Sequence, residues 1–290
     1  ALATTLHADM DPVTAWQVAA LDSLTQLQDN LTGLLQPLAP GQLPDPEFVH
    51  QARVALRRLR SGLSLFAEHL PKAFVRRWGP CWQRSAAVLG EARNRDVLDE
   101  HLLQWLGERA LRGQAPDALE PLAQWMLAQR LGAQQQVLAH LQSPALARQL
   151  LAFAADLLAL RPKRSHGDLA GWAATELDRR LRRLQRQARR AHQLDLDELH
   201  ALRIRLKKLR YAQGFLQGLL PAEQLHQLPL LARVQDAMGE LNDRVTALRL
   251  LQDCPLPEAA TWRRQLEREQ TRLLQGLPQL QRTLEALRHA

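Results

Sequence analysis

The stretch HQARVALRRLR, residues 50–60, returns 150 positions later as HALRIRLKKLR, residues 200–210. In both copies apolar residues recur at three- and four-residue intervals, the spacing that places side chains on one face of a helix. Each copy is followed by a Leu-Pro pair, at residues 70–71 and 220–221. The repeat therefore predicts two related amphipathic helices at equivalent places in a duplicated chain.

The correspondence continues into the next predicted helix, where the offset becomes 149. The matched residues are Pro80 with Pro229, Arg84 with Arg233, Gly90 with Gly239, Glu91 with Glu240, and Arg95 with Arg244. We therefore predict one domain over residues 1–290, made of repeat 1 (1–142), a connecting helix and linker (143–167), and repeat 2 (168–290). Two four-helix bundles related by a pseudo-two-fold axis are the simplest arrangement of these elements.

The composition predicts an all-α protein. Leu, Ala, Gln and Arg dominate, aromatic residues make up only 4% of the chain, and no strand-like alternation is present. Prolines preceded by capping residues, as at Asp45-Pro46 and Ser143-Pro144, mark helix starts. The predicted helices span residues 12–36, 46–69, 71–108, 117–142, 144–160, 168–193, 196–219, 221–252 and 257–288.

The charge balance indicates an acidic partner without naming it. Lys and Arg number 38 against 30 Asp and Glu, which gives a formal charge of +8 and leaves nucleic acid, lipid and phosphate polymer open. Arg supplies 34 of the 38 cations. This bias suits bidentate phosphate recognition, although a genome rich in G and C produces it as well.

Other classes of protein are disfavoured by the sequence. Cys81 and Cys254 are too few for a disulfide framework and lack the spacing of a zinc site, which fits a reducing cytoplasm. The longest apolar stretch, residues 150–160, is interrupted by Asp156 and is too short to span a bilayer. The opening residues do not form a secretory signal and are compatible with a chain cut from a longer protein.

The repeated helix carries a basic stripe beside its apolar face. His50, Arg53, Arg57 and Arg60 fall within an arc of roughly 80° and extend over about 15 Å of helix. The second copy has the stripe His200, Arg203, Lys207 and Arg210. Because neither stripe has an acidic residue at three- or four-residue spacing within it, between its first and last cation, the like charges repel one another unless a ligand neutralises them. The two rows therefore predict binding of an extended string of anions.

Three structural alternatives accompany this interpretation. A basic run on one helix is usually a solvated face, and either histidine can instead bond a carbonyl at the helix entrance. Arg84, Arg95 and their counterparts Arg233 and Arg244 either extend the anion surface or form intrahelical ion pairs with Glu91 and Glu240. The arginine run at residues 179–190 is interpreted mostly as solvated surface.

The motif His50-x-x-Arg53-Val54-x-x-Arg57-Arg58-Leu59-Arg60 resembles the signature of the CHAD family. Leu89-Gly90-x-x-Arg93-Asn94-x-Asp96-Val97 is similar to the following motif of that family, and residues 200–211 with Met238-Gly239-x-x-Asn242-Asp243 resemble its second-half forms. Two departures are Asn94, where Asp is common, and Met238 in place of Leu. The resemblance covers nearly the whole chain.

The resemblance implies two four-helix bundles, a basic central surface or pore, and inorganic polyphosphate as the ligand. It further implies association with polyphosphate granules and, in some members, a CYTH triphosphatase domain in a longer chain. No cofactor and no metal are implied. Together, the stripes and the resemblance predict polyphosphate binding by His50, Arg53, Arg57, Arg58, Arg60, Arg84, Arg93, Arg95, His200, Arg203, Lys207, Lys208, Arg210, Tyr211, Arg233 and Arg244.

Other functions compete with this one. A nucleic-acid-binding module would need rings to stack on bases, whereas only Tyr211 lies beside a stripe and the seven Trp sit at helical positions typical of a core. An enzyme acting on phosphate chains would need a metal-binding cluster or an activated nucleophile, and the sequence shows neither. A helical scaffold for another protein is the third alternative.

Overall fold

The all-α prediction is confirmed. The computed structural model describes residues 6–37, 42, 44–110, 119–162, 168–190, 194–220, 228–279 and 282. Within these residues there are nine α-helices and no strand: α1 Pro12–Leu34, α2 Pro46–Leu65, α3 Lys72–Ala110, α4 Leu119–Leu141, α5 Pro144–Ala159, α6 Leu169–Ala188, α7 Leu196–Leu216, α8 Leu228–Gln252 and α9 Ala259–Gln275. A short 3-10 helix, Gln217–Leu219, follows α7.

Capping residues fix the helix starts near their predicted positions. The Asp45 side chain accepts a hydrogen bond from Glu47 N (2.8 Å) and Pro46 begins α2. Asp195 and Glu198 form a reciprocal capping box at the start of α7. These bonds satisfy backbone N–H groups that have no partner inside the helix. The predicted start of the eighth helix at residue 221, and most of the predicted linker, lie outside the described residues.

One compact unit comprises Ala19–Leu160 and Arg249–Trp262. Its longest helix, α3, packs against both α2 and α4. The apolar face of α2 is buried along its whole length, at Val49, Ala52, Leu56, Leu59 and Leu63. Burial of this face fixes the rotation of α2 and leaves the basic stripe at its border.

Aromatic side chains fill part of the same unit. The Phe153 ring of α5 lies edge-on to Trp78 and Trp82, with centroids 5.1 and 4.9 Å apart. Asp156 Oδ2 accepts hydrogen bonds from Trp78 Nε1 (3.0 Å) and Arg77 Nη1 (2.9 Å). The predicted connecting helix α5 is therefore a packed part of this unit.

The other compact unit comprises Ala1–Val18, Arg161–Leu248 and Arg263–Ala290. In it, α6 packs against α7, and the Leu169 amide at the start of α6 donates to the Ala8 carbonyl (2.9 Å). Helix α7 buries Leu199, Leu202, Leu206 and Leu209 as α2 buries its own apolar face. The predicted repeat boundaries and the pseudo-two-fold arrangement stay predictions.

Candidate anion-binding site

The basic stripe of α2 lies where the helix turns from its buried face towards solvent. His50, Arg53 and Arg57 are each partly exposed, while Arg60 is exposed. The neighbouring Ala52 and Leu56 are buried. The stripe therefore lies along the border between the buried face of α2 and solvent.

Arg93 of α3 joins this stripe. The pKa of His50 is lowered from 6.5 by burial first and then by the positive charge of Arg93, with further lowering from Arg57 and Arg53. Only Glu47 acts in the opposite direction among the described residues. The charges of three guanidinium groups from two helices therefore act on His50, and we name His50, Arg53, Arg57 and Arg93 the α2–α3 cluster.

Arg53 lies across the backbone of α3. A Cβ atom built onto Gly90 would be only 2.8 Å from Arg53 Nη1, a distance that real Cβ contacts do not show. Glycine at this position therefore lets the guanidinium approach the α3 backbone closely. Gly90 is part of the motif that resembles the CHAD family, and the close approach of Arg53 explains why a larger residue does not fit there.

Arg84 and Arg95 lie on another face of α3. Their positions are roughly 160–180° around the helix from Arg93, so they do not belong to the α2–α3 cluster. Arg95 Nε donates to Glu91 Oε1 (3.1 Å), which confirms the intrahelical pair considered as the alternative. Arg84 Nη2 donates to Cys81 Sγ (3.3 Å).

Arg58 is directed away from the stripe. Its Nη2 atom lies 2.7 Å from Asp22 Oδ2 in α1, and its Nη1 atom donates to Gln26 Oε1 (3.2 Å). A guanidinium already paired with a carboxylate is a weaker candidate for a phosphate. Its counterpart Lys208 is exposed on α7.

The second stripe has a different neighbour. His200 is exposed, and its Nδ1 atom donates to Asn242 Oδ1 of α8 (3.1 Å). Asn242 Nδ2 in turn donates to Thr246 Oγ1 (3.5 Å), which holds the amide in place. At the repeat offset of 149, Asn242 stands where the first repeat has Arg93.

The rest of the second stripe continues along α7, where four residues are each partly exposed: Arg203, Lys207, Arg210 and Tyr211. We name His200, Arg203, Lys207, Arg210 and Asn242 the α7–α8 cluster.

The remaining arginines of α8 are separate from this cluster. Arg244 Nε donates to Glu269 Oε2 of α9 (2.9 Å), so this residue forms an ion pair with another helix and not the intrahelical pair with Glu240 that was considered as the alternative. Glu269 is 25 residues away in sequence, where intrahelical spacing gives no signal. Arg233 is exposed.

Comparison with known proteins places these motifs in a family. The family model described as CHAD domain matches residues 18–252, most of the chain. This chain belongs to the CHAD family. Its structure is similar to the crystal structure of the CHAD domain from the plant Ricinus communis, with a TM-score of 0.76, 27% identity, and coverage of 99% of this chain and 96% of that chain. A search of curated proteins gave no match at a significant level.

Several charged groups of this CHAD domain have structural roles that the sequence did not reveal. Buried Asp96 pairs through Oδ1 with Arg130 Nε of α4 (2.7 Å). In α6, the buried carboxylate of Glu176 binds both Arg179 and Arg180, and Arg182 pairs with Asp178. Part of the arginine run is thus neutralised on its own helix.

The described part of the CHAD domain contains neither a metal-binding group of side chains nor a membrane-spanning helix. No group of three or more His, Cys, Asp or Glu side chains is arranged to hold a metal ion. None of the described helices combines the length and the apolar character needed to cross a bilayer.

Most tryptophans pack inside the CHAD domain, as predicted. Trp16, Trp78, Trp82 and Trp262 are buried, Trp125 and Trp172 are partly exposed, and the Trp105 side chain is outside the described part. Buried rings are not available to stack on nucleic-acid bases.

Proposed function

We propose that this CHAD domain binds inorganic polyphosphate through the basic stripes of α2 and α7, without processing it, and that binding directs the protein to polyphosphate granules. The observation that carries the proposal is the α2–α3 cluster, in which the Arg53 guanidinium lies against α3 at Gly90 and the charges of Arg93, Arg57 and Arg53 act on His50. An anion that binds beside these guanidinium groups is attracted by their combined positive charge.

The dimensions of the stripe suit a chain of phosphates better than a single one. His50 and Arg60 are separated by about 15 Å along the helix axis, so successive guanidinium groups meet successive anionic groups. Guanidinium forks bind phosphate oxygens through two parallel hydrogen bonds, which adds geometry to charge. The same argument applies to the α7 stripe with Lys207 as a point charge.

Nucleic acid is the second candidate, and the rings of the molecule argue against it. Trp78 and Trp82 are engaged in the core with Phe153, and Tyr211 is the aromatic residue beside a stripe. A ligand without bases needs no stacking surface. Competition between long polyphosphate and single-stranded DNA of equal charge tests this, and preference for DNA would overturn the proposal.

The binding experiment is a salt titration of long polyphosphate affinity with the whole chain. Each phosphate neutralised by a cation releases condensed counter-ions, so the logarithm of the affinity should fall with the logarithm of salt concentration by about 0.7 per contact. The test variant carries Arg57→Gln, Arg60→Gln, Lys207→Gln and Arg210→Gln. We expect it to bind more weakly and with a slope smaller by about three.

A matched control removes charge elsewhere. Arg183, Arg186, Arg189 and Arg190 are exposed arginines of the run at residues 179–190. Replacing these four by Gln should change polyphosphate affinity far less than the stripe variant does. If the two variants lose affinity equally, general charge and not the stripes binds the ligand.

The non-catalytic part of the proposal has its own test. Long polyphosphate is incubated with the protein and Mg²⁺ or Mn²⁺, and its chain length is followed by gel electrophoresis. We expect the length to match that of a heat-inactivated control. Shortening that depends on active protein would show an enzyme.

A further inference from the structure

The two clusters differ in the charge that faces the histidine. In the first repeat, the group contributed by the second helix is the guanidinium of Arg93. In the second repeat, the equivalent position holds Asn242, whose amide oxygen accepts a hydrogen bond from His200. A stripe with nearly the same sequence therefore lies beside a repelling cation in one repeat and beside a neutral acceptor in the other.

We propose that His50, Arg53, Arg57 and Arg93 form a phosphate subsite in which ligand binding is coupled to protonation of His50, and that Asn242 removes this coupling from the second repeat. The proposal rests on the proposed function and adds to it a division of roles between the repeats. The α2–α3 cluster is the tighter, pH-sensitive subsite, and the α7–α8 cluster is a separate and weaker subsite.

The groups around His50 determine the direction of the effect. Arg53, Arg57 and Glu47 act on it from α2, and Arg93 acts from α3. Glu47 is itself engaged, because Gln51 Nε2 donates to its Oε1 atom (2.6 Å). Burial is the largest cause of the lowered pKa of His50, and the cationic balance of these charges adds to it, so the imidazole without ligand favours its neutral form.

A bound phosphate reverses this balance. Its negative charge offsets the three arginines and favours the imidazolium, which then donates to a phosphate oxygen. The pKa of His50 must therefore be higher in the complex than in the free protein. By linkage, binding takes up a proton, and affinity rises as pH falls from the pKa of the complex towards that of the free protein. Each unit of difference between these pKa values gives about a tenfold gain in affinity.

Gly90 supports the same assignment independently of titration. It allows the Arg53 guanidinium to lie against α3, the helix that also carries Arg93. At Gly239 a Cβ atom would meet nothing within 4 Å among the described residues. The close approach of a guanidinium to the backbone of the neighbouring helix is therefore seen at Gly90 and not at Gly239.

Tripolyphosphate is the probe for the test, because it is short enough to report one subsite. Its affinity and the number of protons taken up are measured by calorimetry in two buffers between about pH 5.5 and pH 8, a range that brackets the ordinary pKa of histidine. The ring resonances of His50 are followed by NMR with and without ligand. For the native chain we expect proton uptake, an upward movement of the His50 pKa on binding, and tighter binding at the acidic end.

Two reciprocal substitutions sharpen the test. Arg93→Asn should weaken tripolyphosphate binding by about tenfold, as for one lost charge-assisted contact. It should also raise the pKa of His50 in the free protein. Asn242→Arg gives the second repeat the charge of the first and should strengthen binding several-fold. His50→Gln should abolish most of the proton uptake and most of the gain in affinity on acidification, and thermal unfolding of each variant checks its fold.

The outcomes separate this inference from the proposed function. If long polyphosphate binds the native chain but tripolyphosphate binding takes up no proton, or proton uptake persists in His50→Gln, the subsite is wrong and the general function stands. If Arg93→Asn leaves both the affinity and the His50 pKa unchanged, the subsite is also wrong. If long polyphosphate itself does not bind, the proposed function fails.

Discussion

The first and second repeats carry the same basic stripe, yet the structure surrounds the two stripes differently. On α2 the stripe meets Arg93 of the neighbouring helix, and on α7 it meets Asn242. The stripe alone therefore does not determine the electrostatics of the site, because the facing helix contributes a charge in one repeat and a neutral amide in the other. Duplication preserved the row of cations and changed the group beside it.

The supporting ion pairs diverge in the same way. Arg95 pairs within its own helix with Glu91, whereas the equivalent Arg244 pairs with Glu269 of another helix. The buried Asp96 pairs with Arg130, while the matching position in the second repeat is the exposed Val245. Residues that share a place in the repeat thus do different structural work.

The largest effect is expected from removing the cations of one repeat at a time. Arg53, Arg57 and Arg93 are replaced by Gln in one variant, and Arg203, Lys207 and Arg210 in the other. Three charge-assisted contacts at roughly 1.5 kcal/mol each correspond to about a thousandfold loss of polyphosphate affinity in the first variant. The second variant should lose about tenfold less. Equal losses, measured at one salt concentration, would make the two repeats equivalent.

The next largest effect is expected on the free energy of unfolding, when one ion pair is broken in each repeat. Arg130→Gln leaves the Asp96 carboxylate buried without its partner, and Asp96 Oδ2 already has no hydrogen-bond partner among the described residues. We expect a loss of about 3 kcal/mol in the free energy of unfolding. Arg244→Gln breaks a more exposed pair and should lose about 1 kcal/mol or less.

Urea unfolding measures both variants. The control is the double variant Asp96→Val with Arg130→Leu, which copies the apolar character of position 245 and removes both charges. It should recover most of the stability lost in Arg130→Gln. Failure to recover would show that the pair does more than neutralise a buried charge.

The same helices show which features of the fold could be predicted from the sequence. Helix starts were predictable because their signals are local. The Asp45 and Asp195 side chains accept hydrogen bonds from backbone N–H groups in the first turn, and Pro46 begins α2. The rotation of α2 was predictable because its apolar residues recur with the period of a helix. Local rules of this kind predict elements and faces well.

Partners from distant parts of the chain were not predictable. Arg58 binds Asp22, 36 residues earlier, and Arg244 binds Glu269, 25 residues later. No periodicity connects such residues, since only the packing of separate helices brings them together. The helical period alone shows that Arg93 lies on a different face of α3 from Arg84 and Arg95. That Arg93 lies beside the basic stripe could be seen only once the position of α2 against α3 was known.

Acidification should destabilise the protein through two histidines of the first repeat. Burial lowers the pKa of His140, and burial with Arg93 lowers that of His50, both from 6.5. A lowered pKa means that the unfolded chain binds more protons, so the stability contribution is complete above about pH 6.5 and is lost as pH falls towards the folded-state values.

Unfolding free energy measured near pH 7.5 and pH 5.5 checks this, with His140→Leu and His50→Gln expected each to reduce the difference. Tripolyphosphate should reduce only the part that depends on His50. If it reduces the part that depends on His140 equally, the ligand acts on the whole fold and not on the α2–α3 cluster.

The smallest expected effect comes from the paired glycines. Both Gly90 and Gly239 lie inside helices, where Ala is favoured by up to about 1 kcal/mol. At Gly239 the added methyl group meets no described atom within 4 Å, so Gly239→Ala should stabilise the protein by about that amount. At Gly90 the methyl group must displace the end of the Arg53 side chain, so Gly90→Ala should stabilise less and weaken tripolyphosphate binding a few-fold.

Urea unfolding measures the stability of the two glycine variants, and calorimetry measures their affinity for tripolyphosphate. Since Arg53 has a flexible side chain, its displacement costs the fold little, and the loss should appear in binding. Equal stabilisation by both variants with unchanged affinity would mean that the position of Arg53 against α3 does not matter to the subsite.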